Sequence, residues 1–183
     1  MDGTVSTPLF ARVLGAAFQQ LAPQVRALHS IPVRQRWSGQ GEVLRGSHWL
    51  VAPCAWLARL PPTSSVPVTV EFLVDASGER WNRQFDTARM ASRLWQRDGQ
   101  LFEQLGAVRF RFGLRQEAGQ ILWRAERVWA FGVLPLPTRW FAQVHCRERE
   151  HAGRYEFLVD VSMPLIGRLI RYEGWLLPED AHG

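Results

Sequence analysis

The chain reads as an α+β protein: a strongly curved, mostly antiparallel sheet of about nine strands, able to close partly into a barrel, packed against two helices. Three observations predict this. From Val66 almost to the C-terminus, apolar residues recur with a period of two, the mark of strands with one buried face. The segments between those strands are turns, too short for the crossover that a parallel pair needs. Before Val66 the apolar period is helical in two places. With 183 residues, 46% hydrophobic and 21% charged, the chain has the material of one globular domain with one core, and no linker divides it, so residues 1–183 are taken as a single domain.

Thr7-Pro8 predicts a helix start, with the hydroxyl placed to cap free amides and proline preset at the first helical position. Leu9, Phe10, Val13, Leu14, Ala17, Phe18 and Leu21 follow the 3.6-residue period until Pro23, and a shorter helical turn from Pro23 to His29 follows. Trp37 to Gly46 is glycine-punctuated and extended. Ser47 can cap a second helix to about Leu60, with Pro53 tolerable only near its first turn. Trp49, Leu50, Val51, Ala52, Ala55, Trp56, Leu57 and Leu60 cover most of its circumference, which suits a helix buried across the sheet or a lid that opens onto a membrane or admits a lipid.

Val66 to Val74 opens the strand region, and Ala76-Ser77-Gly78 turns into Glu79–Asp86. Met90–Arg97 and Gln100–Leu105 form a hairpin about Asp98-Gly99. Val108, Phe110, Phe112 and Leu114 face one way while Arg109, Arg111 and Arg115 face the other. Ala118-Gly119 turns into Gln120–Phe131; after the break Gly132–Pro137 come Trp140–Glu150, Tyr155–Met163 and Arg168–Leu177.

Composition excludes several mechanisms. All 22 basic residues are arginine. Schiff-base, pyridoxal-phosphate and P-loop chemistries each need a lysine amine, which arginine does not replace. The formal charge of +5 overstates any nucleic-acid affinity, because the arginines are scattered from Arg12 to Arg171 with no run of three. Cys54 and Cys146 are far apart, and the histidines show no HxxxH or HExxH spacing, so no zinc site is expected. Gly39, Gly41 and Gly46 do not make GxGxxG, and no GxSxG elbow occurs. No cofactor is expected. Without a charged leader before an apolar core, or about 18 uninterrupted apolar residues, the chain reads as cytoplasmic with no transmembrane segment.

Leu28-His29-Ser30, Gly41-Glu-Val-Leu-Arg-Gly46, Glu79-Arg-Trp-Asn-Arg-Gln-Phe85, Glu103-Gln-Leu-Gly106, Gly132-Val-Leu-Pro-Leu-Pro137, Phe157-Leu-Val-Asp-Val-Ser-Met-Pro-Leu-Ile-Gly167 and Arg171-Tyr-Glu-Gly-Trp-Leu176 form an ordered series. In order and spacing it resembles the bacterial domain-of-unknown-function family numbered forty-one sixty-six, over about residues 9–178. The resemblance implies no established activity. It implies a domain found alone or fused C-terminal to Rossmann-type short-chain dehydrogenases, and so a short-chain dehydrogenase as partner. Glu173 departs from the pattern, which places a basic residue between the tyrosine and the glycine.

The residues that carry chemistry are ionisable groups in phase with an apolar strand face. Arg83 shares a face with Trp81 and Phe85, and Glu103 with Leu101 and Leu105. Arg127 is in phase with Trp123, Ala125, Trp129 and Phe131, and Glu148 with Trp140, Val144 and Cys146. A buried charge must find an opposite charge, water or a ligand. Either these side chains line one cavity, where Arg83 or Arg127 binds a carboxylate or phosphate, or bulges shift the phase, or arginine and glutamate pair across neighbouring strands. Three functions remain open. One is a binder of a hydrophobic small molecule or lipid with an acidic head, held by Arg83, Arg127, Glu148, Trp81 and Trp129. Another is an isomerase, cyclase or hydrolase in which Glu103, its pKa raised by apolar surroundings, works with His29. The last is a docking module for a dehydrogenase. His29 has its own alternative, capping carbonyls at a helix end.

Overall fold

The computed structural model describes residues 7–179; the outer ends of the 1–183 span, with His182, lie outside them. Three short helices, α1 (Leu9–Leu14), α2 (Pro23–Leu28) and α3 (Val51–Leu57), accompany eleven strands. The strands are β1 (Arg34–Arg45), β2 (Ser64–Asp75), β3 (Gly78–Phe85), β4 (Ala88–Arg97), β5 (Gln100–Leu105) and β6 (Val108–Glu117), then β7 (Gln120–Ala130), β8 (Leu134–Leu136), β9 (Gln143–His151), β10 (Arg154–Met163) and β11 (Gly167–Pro178). The sheet runs β6-β5-β4-β3-β2-β1-β11-β10-β9-β7-β8, every pairing is antiparallel, and β6 also pairs with β7. That last ladder closes ten strands into a barrel and leaves β8 as an eleventh strand outside the ring. The other edge of β7 is divided: Ile121–Trp123, at its lower end, pair with β9 and Val128–Ala130, at its upper end, with β8.

The two strands beyond the expected nine are β1 and β8. β1 carries Gly39 and Gly41 at inward positions where hydrophobic residues would mark a strand. Its seam with β11 requires them: a Cβ on Gly39 would lie 1.9 Å from the Trp175 carbonyl oxygen, and one on Gly174 would lie 2.2 Å from that of Gln40. The stretch expected as strand from Trp140 begins instead with a 3₁₀ turn, Thr138–Phe141. The expected long N-terminal helix stops at Gly15, which takes φ 57°, and the chain continues as a 3₁₀ turn to Gln20. No side chain caps α1 or α3, so Thr7 and Ser47 do not serve as the expected caps.

The two barrel ends differ. Residues 7–33 close the lower end, where Ala22 N–H donates to the carbonyl of Gly119 in the β6–β7 turn at 2.9 Å. Phe10, Val25 and Leu28 from this plug are fully buried with Trp37, Ile121 and Leu101 from the wall. The upper end is covered by α3, seated on the β5–β6 turn through Ala107 N–H to the Leu57 carbonyl at 3.0 Å. α3 buries only Val51 and Ala55. Trp49 and Trp56 stand 76% and 81% exposed, so α3 is a cover over the mouth and not a helix buried across the sheet. Among the described residues no helix is long and apolar enough to cross a membrane.

Gly39→Ala should cost about 1–3 kcal/mol, because the new methyl meets backbone that cannot turn aside. Equilibrium urea unfolding reads this as a lower midpoint, and an unchanged midpoint would show that the β1–β11 seam is slack.

Candidate functional site

Between plug and cover the barrel encloses a cavity of about 170 Å³, lined by Cys54, Leu57, Ala58 and Leu60 from the α3 segment, by Phe141 of the 3₁₀ turn and by residues of eight strands. A smaller cavity of about 50 Å³ adjoins it, sharing Trp81, Arg83, Glu148, Phe157, Val159 and Tyr172. The walls are apolar. The floor is polar, because period-two alternation in β3, β4, β5 and β9 turns Arg83, Ser92, Glu103 and Glu148 inward.

Arg83 Nη1 donates to Ser92 Oγ at 2.8 Å and Nη2 to Glu103 Oε1 at 3.4 Å. Its guanidinium lies 4.8 Å from the centre of the Trp81 ring, a cation–π contact that fixes the plane of the fork. Both side chains of the Arg83–Glu103 pair are nearly enclosed, at 13% and 11% exposure. Glu148 lies across the floor. Its charge acts on the Tyr155 hydroxyl, and the His29 Nε2–H donates to its Oε2 at 2.5 Å. His29 is fully buried, its ring 3.7 Å from that of Phe10, and it sits behind Glu148 and not on the cavity wall. Its Nδ1 has no hydrogen-bond partner among the described residues.

His29 therefore partners Glu148 and not Glu103, which pairs with Arg83. As the residue that follows α2, His29 does stand at a helix end, but its ring is spent on a strand 119 positions away. Arg127 and Trp129 are on the outer surface. Between Arg111↔Arg127 and Phe112↔Ala125 the β6–β7 register slips by one residue, so that Glu126 is extra and the phase of β7 reverses. Beyond the bulge Val128 and Ala130 are buried, Arg127 is exposed, and Trp129 stacks on Phe102 outside the barrel. Glu173 is on the outer surface too, bound by Arg171 at 2.9 Å.

Four further groups complete the interior. Cys146 lines the cavity, and burial, with Glu103 and Glu148 nearby, pushes its thiol far up, so it is held as a weak nucleophile. Tyr172 lines both cavities as a neutral phenol, its ionisation suppressed by burial. Tyr155 is held neutral in the same way, reinforced by the Glu148 charge. Glu79 lies deeper, against the plug: burial pushes its carboxyl up, opposed by the Trp81 Nε1–H at 2.9 Å, by His29 and Arg12, and by the Leu9 amide at the start of α1. Ser92 and Glu79 were within reach of sequence reasoning, since Ser92 is in phase with Met90 and Leu94 and Glu79 with Trp81. Tyr155 and Tyr172 share the inward phase of Phe157 and Leu176 but carry no signal that sets them apart from ordinary core aromatics.

A closed up-and-down barrel with a few polar side chains grouped on the floor of an apolar cavity defines a cavity-bearing β-barrel protein. Residues 21–176 match the family described as domain of unknown function (DUF4166), and the chain belongs to that family. No curated protein matches it.

Arg83→Met should cost about 3–5 kcal/mol by leaving Glu103 enclosed without its cation, and Arg83→Met with Glu103→Gln should recover most of that loss. A double-mutant cycle by urea unfolding checks this; additive losses would mean that the two side chains are not coupled. Glu79 gives a pH test. The unfolded chain releases its proton near the ordinary glutamate value of about 4.3, whereas the fold holds it to higher pH. The native state thus binds more protons in that window, and stability falls as pH rises through it. Glu79→Gln should therefore be more stable than wild type at pH 7 by a margin that shrinks towards pH 4, read from unfolding midpoints at the two values.

Proposed function

We propose that the barrel binds a compact hydrophobic molecule whose polar head rests on Arg83, Glu103 and Glu148. One observation carries the reading: an apolar cavity, covered at its mouth by a small helix, has its charged residues gathered at one spot of the floor. Apolar cavities of about 150 Å³ hold a benzene-sized molecule. At about 170 Å³ this one suits a body of one ring, or the leading end of a longer chain. The placement of Arg127 outside changes the expected head group. Arg147 also borders the cavity, but the alternation of β9 turns its side chain to the outer face. One inward guanidinium thus faces the cavity with two carboxylates, so a head that donates hydrogen bonds, a hydroxyl or an amine, is favoured over the acidic head that two arginines would have selected.

An acid–base reading of the same cavity is favoured by the Glu148–His29 contact. Glu148 would then be the group that meets substrate and His29 a positioning residue behind it. A dehydrogenase partner and a cytoplasmic location rest on the family resemblance and the composition alone, and no feature of the barrel singles them out.

Toluene, benzyl alcohol, benzylamine and benzoate have the same hydrocarbon body and differ in the head, and unfolding in the presence of each tests the proposal. A bound probe at a hundredfold excess over Kd stabilises by about 2.7 kcal/mol. Toluene should stabilise, benzyl alcohol and benzylamine more so, and benzoate least. Val144→Phe, which fills the cavity, should abolish all four responses. If no probe stabilises the wild type, or if the folded Val144→Phe protein responds as strongly, the barrel is not the binding site.

A further inference from the structure

We propose that the upper end of the barrel docks on a lipid bilayer bearing anionic head groups, with α3 lying at the interface. Among the described residues, eight of the ten large hydrophobic side chains left exposed belong to this end. Trp49, Trp56, Phe131, Val133 and Leu165 are each 67% exposed or more, whereas among the described residues the lower end exposes only Val33 and Leu177. These side chains come from four separate segments: the approach to α3, α3 itself, the β7–β8 turn and the β10–β11 turn. They encircle the mouth of an apolar cavity. Hydrogen bonds join part of that rim into one surface, Phe131 N–H donating to the Ala107 carbonyl at 2.6 Å and Ala107 N–H to the Leu57 carbonyl at 3.0 Å. Tryptophan at such a rim suits the bilayer interface, where an apolar ring and a polar N–H are both accommodated.

Charge selects the bilayer over other apolar partners. A groove of about 1000 Å³ runs from beneath α3 down the outer face of β3, β4 and β5, lined by Trp56 and Phe131 together with Arg45, Arg59, Arg80, Arg89 and Arg93, and by no aspartate or glutamate. The Arg45 guanidinium is spent on the Leu60 and Pro61 carbonyls. Arg59, Arg80, Arg89 and Arg93 form no ion pair among the described residues, although Arg80 and Arg93, at the lower end of the groove, act on Asp75. Arg59 and Arg89, in the upper part of the groove with the exposed rings of Trp56 and Phe131, complement phosphate head groups above acyl chains, and Arg80 and Arg93 continue the basic groove away from the rim. The orientation points the cavity mouth at the membrane, so that a hydrophobic ligand could pass between bilayer and barrel without crossing water. The docking itself does not require that a ligand be bound.

Flotation with vesicles of phosphatidylcholine alone, and of phosphatidylcholine with 30% phosphatidylglycerol, tests the proposal. The wild type should float with the anionic vesicles, bind neutral ones weakly, and lose affinity as salt is raised. Arg59→Gln and Arg89→Gln should each weaken binding about fivefold, and Trp49→Ser with Trp56→Ser should abolish it while leaving the circular dichroism spectrum unchanged. Val144→Phe should bind vesicles like the wild type, which separates this surface from the cavity: loss of probe binding with retained flotation bears on the ligand alone. Equal binding to both vesicles, or binding indifferent to the two tryptophans, overturns the proposal. So does a failure to float accompanied by a dimer, or by a stable complex with a dehydrogenase, that Trp56→Ser dissolves, since the surface would then be a protein interface.

Discussion

Ten strands closed into a ring enclose more space than their own side chains can fill, and the rest of the molecule answers that constraint. An eight-stranded barrel has a bore that inward side chains just occupy, and the bore widens with each strand added. Here the surplus is handled differently at the two ends. Below, residues 7–33 drive Phe10, Val25 and Leu28 into the bore against Trp37 and Ile121. Above, α3 covers the opening without filling it, and the space left between is the cavity.

Closure also decides what becomes of charge. On an open sheet, inward-facing Arg83, Glu103 and Glu148 could reach water past an edge; in a ring they cannot, so each must be matched from inside. Arg83 is matched three ways, by Ser92, by Glu103 and by the face of Trp81. Glu148 is matched by His29, which approaches from the plug and leaves its cavity side open. The plug is therefore more than a stopper. By delivering His29 it sets the orientation of a carboxylate on the floor, and the segment that fills the lower bore also shapes the site above it.

Much of this was legible from strand alternation, because a period of two is enforced wherever one face is dry. Trp81, Arg83, Glu103 and Glu148 were placed inward by phase alone, and the structure gathers them around one space. The same rule misplaced Arg127 and Trp129, since a single extra residue, Glu126, reverses every side chain beyond it and nothing in the local sequence announces a bulge. β1 was hidden for a different reason. Its seam with β11 is so close that glycine replaces the apolar residues by which a strand is recognised. The His29–Glu148 contact joins positions 119 apart, and no local pattern encodes it. The exposure of Trp49 and Trp56 was equally invisible, because an apolar helix looks the same whether it lies in a core or over a mouth.

The inner and outer surfaces of the barrel have opposite electrostatic character, and that difference has a physical consequence for any molecule approaching it. Inside, one guanidinium and two carboxylates face the cavity. Outside, beneath α3, arginines stand without acids. An anion is thus attracted to the rim and disfavoured on the floor, whereas a hydrophobic body with a donor head gains only by passing through. α3 is the partition between the two environments. It is seven residues long, uncapped by any side chain and anchored by few buried residues, so its displacement disturbs little of the core. The ring and its internal ion pair are held by the barrel's own ladders and not by this cover.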